Sequence, residues 1–325
     1  MSDAPTFVRV IPPGRFVWGM QLPVVAQSTV FAAPWEAAAG PAEVARVAAA
    51  CDAAGFFYVS VCDHIVVPRA QATAMSTVWF DTVATLGWLA AVTRHVRLLS
   101  YVYVPGYRHP LQTAKAFATL DALSAGRVIL GVGAGHVEGE FQTLGVPFTG
   151  RGKRLDESIV AIRAALLDEW PEHDGPHWRF ADVGLRPRPV QTPRPPIWVG
   201  GNTEAALRRT ARLADGWLPQ GTFRDQLPAQ LAFIHAERAR VHGDGHPIEI
   251  GGTSPWLYVG TPSFDVGPNA CTGAPAAIAE NLRALAALGV HHVSVRFRSR
   301  TCDELLDQIA AFAADVAPLL VGAGS

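Results

Sequence analysis

Four short stretches of this sequence carry groups that could do chemistry. FFYVSVC (56–62) is a continuous apolar run that ends in Asp63-His64. Imidazole titrates near neutral pH, so a histidine at a strand's end suits proton transfer. The alternative is a histidine that caps the following loop. RVILGVGAGHVEGEF (127–141) starts as a buried strand, meets Gly131, Gly133 and Gly135, presents His136, and opens a helix with Glu138 and Glu140 in its first turn. Glycines there either let backbone approach a ligand or make a tight strand-to-helix turn. Their spacing is G-x-G-x-G, not the dinucleotide fingerprint G-x-G-x-x-G. Gly200-Gly201-Asn202-Thr203 ends another apolar run and opens a helix, with Thr203 or Asn202 as N-cap. Successive N–H groups at such a start favour an anionic group. Arg296 stands on the last apolar strand, with Arg298 and Arg300 at its mouth. One of these arginines, Arg298 foremost, is a candidate for meeting an anionic substrate or a cofactor tail. Among many aromatics, Trp79 and Phe80 are assigned to an apolar substrate cleft.

The chain's 325 residues, 49% hydrophobic and 17% charged, suffice for one large α/β barrel or two smaller domains. A formal net charge of -1 argues against nucleic acid or an anionic membrane as main partner. No apolar run is long enough to span a bilayer, and MSDAPTFVRVIPPGRF lacks a signal core. Cys51, Cys62, Cys271 and Cys302 show no C-x-x-C spacing and read as reduced thiols of a cytoplasmic protein. The histidines of EHDGPHW and HGDGH do not match zinc-binding helices, so no metal site is expected.

Positioning these groups falls to eight strands: 16–24, 56–62, 96–104, 128–132, 196–202, 215–219, 248–259 and 291–297. Helices are expected between and after them over 42–54 (behind Pro41), 81–93, 111–123, from 138, and over 151–170, 204–213, 224–242, 274–288 and 303–320. The Pro-, His- and Arg-rich segment 171–196 reads as an excursion, with a hairpin around HWRF. Alternating strands and helices predict a single (β/α)8 barrel with insertions at its carboxyl-terminal face, over an open doubly wound sheet, because nothing at mid-chain looks like an interdomain linker. In such a barrel the active site lies at the carboxyl ends of the strands.

VSVCDH, YRHPLQTAKAFATLDALSAGRVILGVGAGHVEGEFQTLG, RGKRLDESI and PPIWVGGNTEAALRRTARLADGWLP, in this order, resemble the luciferase-like monooxygenase superfamily, and more closely its coenzyme F420-dependent branch. The resemblance covers nearly the whole chain. It implies a homodimeric (β/α)8 barrel that binds F420 or FMN and a small-molecule substrate. It implies His64 as proton donor beside the cofactor, with Asp63 as a candidate hydrogen-bond partner. Ala134 and Gly135 match backbone positions that approach the deazaflavin, and Gly200 to Thr203 match the segment that holds the phosphate both cofactors carry. His136 stands where glucose-6-phosphate-oxidising members carry a glutamate, so it is either a second acid–base group or pocket lining, and a sugar phosphate is put in doubt. The branch also carries a bulge with a non-proline cis peptide in the third strand, which falls at Tyr101–Val102, one residue either way. Three functions follow: an F420-dependent oxidoreductase, favoured here; an FMN-dependent monooxygenase; and a cofactor-binding protein without turnover.

Overall fold

The continuous apolar runs form strands buried on both faces, as parallel strands inside a helical shell must be. In the computed structural model, which describes residues 7–220 and 224–320, eight of them close into a barrel: β1 (Val17–Gln21), β2 (Tyr58–Val61), β3 (Arg97–Ser100), β4 (Val128–Val132), β5 (Ile197–Gly200), β6 (Gly216–Leu218), β7 (Glu249–Val259) and β8 (His292–Phe297). Each pairs in parallel with the next, and β8 pairs with β1. The first six residues of the N-terminal stretch read above lie outside the described residues.

Around the strands run α1 (Pro41–Ala53), α2 (Thr82–Val92), α3 (Pro110–Leu123), α4 (Glu138–Thr143), α5 (Arg151–Leu167), α6 (Glu204–Leu213), α7 (Leu227–His242), α8 (Pro275–Ala286) and α9 (Cys302–Ala311). Their starts have local causes. Pro41 opens α1 while the Glu43 carboxylate accepts from the Gly40 amide at 2.8 Å. Asp81 caps α2 by accepting from the Ala84 amide at 2.8 Å.

Several expected bounds shift. The third strand stops at Ser100, because Tyr101 and Val102 leave the ladder before Tyr103 bridges back to Val132. The last helix is interrupted by a π turn over Phe312–Val316. An extra short strand, Ala270–Gly273, pairs in parallel alongside Trp256–Val259 of β7, and 171–196 contains a two-stranded hairpin pairing His173–Asp174 with Arg179–Phe180. All four cysteines are free, and no described helix is long and apolar enough to cross a membrane.

Large rings lie against glycine backbone inside the lower barrel. A Cβ on Gly19 would stand 2.3 Å from the Tyr58 ring, and one on Gly216 would stand 2.5 Å from the Trp198 indole. His292 stacks on Trp198 with ring centroids 4.3 Å apart. Ile11 closes the floor. Glu249, at the start of β7, accepts from the Val10 and Ile11 amides at 2.8 and 2.6 Å and from Trp198 Nε1 at 3.1 Å. Burial pushes the Glu249 carboxyl up to about 7, against those hydrogen bonds. A carboxyl whose folded pKa is raised contributes stability below its unfolded pKa and loses it as pH rises through the folded value. The wild type should therefore lose stability relative to Glu249→Gln between about pH 4.5 and 7, by up to about 1.4 kcal/mol per pH unit. Urea titrations of both proteins at pH 5 and pH 7.5 check this; a constant difference would count against it.

Candidate active site

Residue 64 follows β2 directly, so its side chain emerges at the carboxyl end of the barrel. His64 Nδ1 lies 2.8 Å from Glu140 Oε2, with the imidazole 10% exposed and the carboxylate fully buried. Glu140 is fixed in turn. Its Oε1 accepts from the Ile65 and Val66 amides at 2.6 and 3.2 Å, and its Oε2 accepts from the Tyr107 hydroxyl at 2.8 Å. Burial works to raise the Glu140 pKa, but the hydrogen bonds from His64, Ile65 and Tyr107 outweigh it and hold the carboxyl below its usual value. The Tyr107 hydroxyl moves the other way, raised by burial and by Glu140. A charged carboxylate on Nδ1 fixes the ring and its tautomer, which leaves Nε2 to exchange a proton. Trp79 packs edge-on against the His64 ring at 4.3 Å, and His136 does so at 5.6 Å. Partial desolvation, and then the neighbouring His64, lower the pKa of His136.

Asp63 is held by several donors of the protein itself. Arg108 donates to its two oxygens at 2.7 and 2.9 Å, the Val104 amide at 2.9 Å and the Thr82 hydroxyl at 3.3 Å. Asp63 therefore ties the loop after β3 to β2.

That loop carries the Tyr101–Val102 peptide, and the bond is cis. The Tyr101 hydroxyl donates to the Pro219 carbonyl beyond β6 at 2.7 Å. Val102 turns toward β4 and β5: a Cβ on Gly133 or on Gly200 would stand 2.5 or 2.6 Å from its methyls. Those glycines thus make room for a protein side chain. The same is true of Gly135, where φ is +76° and a Cβ would meet the Phe141 ring at 2.8 Å. Ala134, beside it, is half-buried against the core.

The segment 200–203 opens α6 as expected, with the Thr203 hydroxyl accepting from the Ala206 amide at 3.3 Å. The Gly201 amide differs from expectation: it donates to the Leu218 carbonyl at 3.1 Å. The amides that can face an anion are those from Asn202 into the first turn of α6, a ten-residue helix. This donor set fits a phosphate.

Of the two aromatics assigned to a cleft, Trp79 borders His64, and Phe80 is half-buried with its amide on the Val25 carbonyl at 2.9 Å. Other large aromatics, Trp18, Tyr103, Trp198 and Trp217, belong to the core. Arg298 lies apart from the His64 cluster, in a cavity of about 570 Å³ at the ends of β1, β7 and β8. Sequence reasoning missed Glu140, Tyr107 and Arg108 as site residues. Tyr107 and Arg108 lie in the quoted YRHP, and Glu140 read only as an acid in a helix's first turn.

A profile of the luciferase-like monooxygenase family matches residues 20–262. The chain belongs to that family. Among luciferase-like relatives, an uncharacterised protein of Mycobacterium tuberculosis (strain ATCC 25618 / H37Rv) is 33% identical over 294 residues, covering 85% of this chain and 94% of its own. Another from the same strain is 36% identical over 172 residues, 53% of this chain and only 58% of the relative. An FMNH(2)-dependent dimethylsulfone monooxygenase of Pseudomonas putida is 32% identical over 167 residues, 50% of this chain and 45% of the relative. The fold is shared with a monooxygenase from Streptomyces bottropensis (TM-score 0.73, 22% identity, 93% of this chain and 99% of that one). It is shared equally with the coenzyme F420 dependent tetrahydromethanopterin reductase of Methanopyrus kandleri (TM-score 0.74, 19% identity, 94% and 99%).

Proposed function

We propose that this luciferase-like protein is an F420-dependent oxidoreductase that transfers hydride between C5 of the deazaflavin and an organic substrate. The observation that carries this reading is the His64–Glu140 pair at the barrel mouth, which engages Nδ1 and leaves Nε2 for proton transfer. When bound, the cofactor supplies the hydride donor or acceptor. His64 Nε2 takes a proton from the substrate during oxidation or returns it during reduction, and Glu140 holds the ring in place and stabilises its charged form. The first turn of α6 takes the phosphate, and Trp79 shields one face of His64 from water. The motif set quoted above supports the deazaflavin.

The FMN-dependent monooxygenase reading is favoured by the Pseudomonas putida relative, whose name states FMNH(2) dependence. Fluorescence titration of the purified protein with each cofactor separates the two. We expect F420 to bind with Kd about 1 μM or tighter, roughly -8.2 kcal/mol, and FMN more weakly; the reverse order overturns the assignment. Tight binding with no hydride exchange at C5 on any alcohol, aldehyde, imine or enone would leave a carrier or sensor.

The phosphate seat has its own test. Thr203→Asp keeps a good N-cap residue and sets a carboxylate against the helix start. Repulsion should weaken binding of either cofactor by about tenfold or more, roughly 1.4 kcal/mol. Unchanged affinity would place the phosphate elsewhere.

A further inference from the structure

The cavity on the far side of the mouth is walled by the loop after β1, by β7 with the loop that follows it, and by the end of β8. At about 570 Å³ it has the size of a small-molecule site. Successive inward positions on β8 are His292, Ser294 and Arg296, because strand side chains alternate. The Arg296 guanidinium lies 4.9 Å from the Phe31 ring centroid and 5.9 Å from that of Trp256, and the Arg298 guanidinium lies 3.9 Å from Trp256.

Two arginines of this cavity, Arg296 and Arg298, differ from the other arginines near the barrel ends. Arg108 and Arg194 are each held by an aspartate, and Arg300 is held by Glu304. Among the described residues neither Arg296 nor Arg298 forms an ion pair, and Arg298 Nε is buried without a hydrogen-bond partner. The carboxylates near them hydrogen-bond to backbone amides, and Asp265 acts on Arg298 through its charge without a salt-bridge contact. Glu36 accepts from the Val24 and Ala33 amides, both at 2.7 Å, and Asp265 accepts from the Gly267 amide at 2.8 Å. Burial lowers the pKa of both arginines. Half-buried guanidinium groups with no carboxylate in salt-bridge contact match a ligand carboxylate in geometry and charge.

We propose that this cavity binds a substrate with an aromatic or similarly flat apolar body and one carboxylate, the carboxylate on Arg296 and Arg298 and the body against Trp256 and Phe31. This rests on reading the mouth as a hydride-transfer site. Gln21 links the two regions: it lines the cavity, and its Nε2 lies 3.5 Å from Cys62 Sγ, two residues before His64. A carboxylate could also come from the tail of F420, and the test separates these sources.

Calorimetry on cofactor-free protein compares naphthalene-2-carboxylate with naphthalene-2-carboxamide, a neutral molecule of the same shape. The carboxylate should bind about tenfold or more tightly, roughly 1.4 kcal/mol. That preference should fall below about threefold in Arg298→Gln and return in part in Arg298→Lys. F420 affinity should stay within about threefold in Arg298→Gln. Equal binding of the two probes by the wild type overturns the proposal, and that comparison stands even if the variant fails to fold. Loss of F420 affinity in Arg298→Gln with no preference between the probes assigns the arginines to the cofactor tail and equally overturns it. Because the probes need neither cofactor nor turnover, a wrong choice between F420 and FMN leaves this result untouched.

Discussion

Replacing His64 with alanine is expected to lower kcat roughly 10²–10⁴-fold, the usual worth of a positioned acid–base group. Cofactor Kd should change much less, because the proposed phosphate seat on α6 and the loop held by Asp63 and Arg108 are left intact. The size of the effect follows from the geometry. Nδ1 of His64 is fixed on Glu140 at 2.8 Å, so proton transfer falls to Nε2. The other imidazole that could take over is His136, whose ring lies 5.6 Å away and whose lowered pKa disfavours its protonated form. Steady-state kinetics and cofactor titration on the same preparation decide the matter. If turnover survives and only binding suffers, His64 is a ligand contact and proton transfer passes to His136.

Asp215→Ala should destabilise the fold by roughly 3–5 kcal/mol, the typical cost of removing one partner from a buried ion pair. Arg194 donates to both oxygens of Asp215, at 2.6 and 3.1 Å, and both side chains are fully buried. The same carboxylate accepts from the Ile197 amide at 2.6 Å and the Val8 amide at 2.9 Å. One residue thus joins the start of β5, the N-terminal segment under the barrel and the end of the 171–196 excursion. Its loss leaves a buried guanidinium uncompensated and two amides without their acceptor. A urea melt reads the change; a shift under about 1 kcal/mol would mean that the floor rearranges around Arg194 at little cost.

Strand existence was legible in the sequence wherever an apolar run was continuous. FFYVSVC, RVILGV and PIWVGG each yielded a strand because burial on both faces demands such runs. Caps and turns were legible too, since Thr203 meets the Ala206 amide within three residues of chain. From alternating strands and helices the barrel followed, and with it the end at which chemistry belongs. Tertiary structure alone decided which polar groups meet there. Glu140 reaches His64 across 76 residues, and Arg108 closes on Asp63 across 45. Neither spacing carries a periodic signal. It also turned the Gly201 amide to Leu218 and gave Gly133 and Gly200 to Val102. Propensities, caps and hydrophobic period are fixed by neighbours along the chain. The partner of a buried carboxylate, or the side chain that fills the space over a glycine, is fixed only when the barrel closes and brings distant strand ends within hydrogen-bond reach.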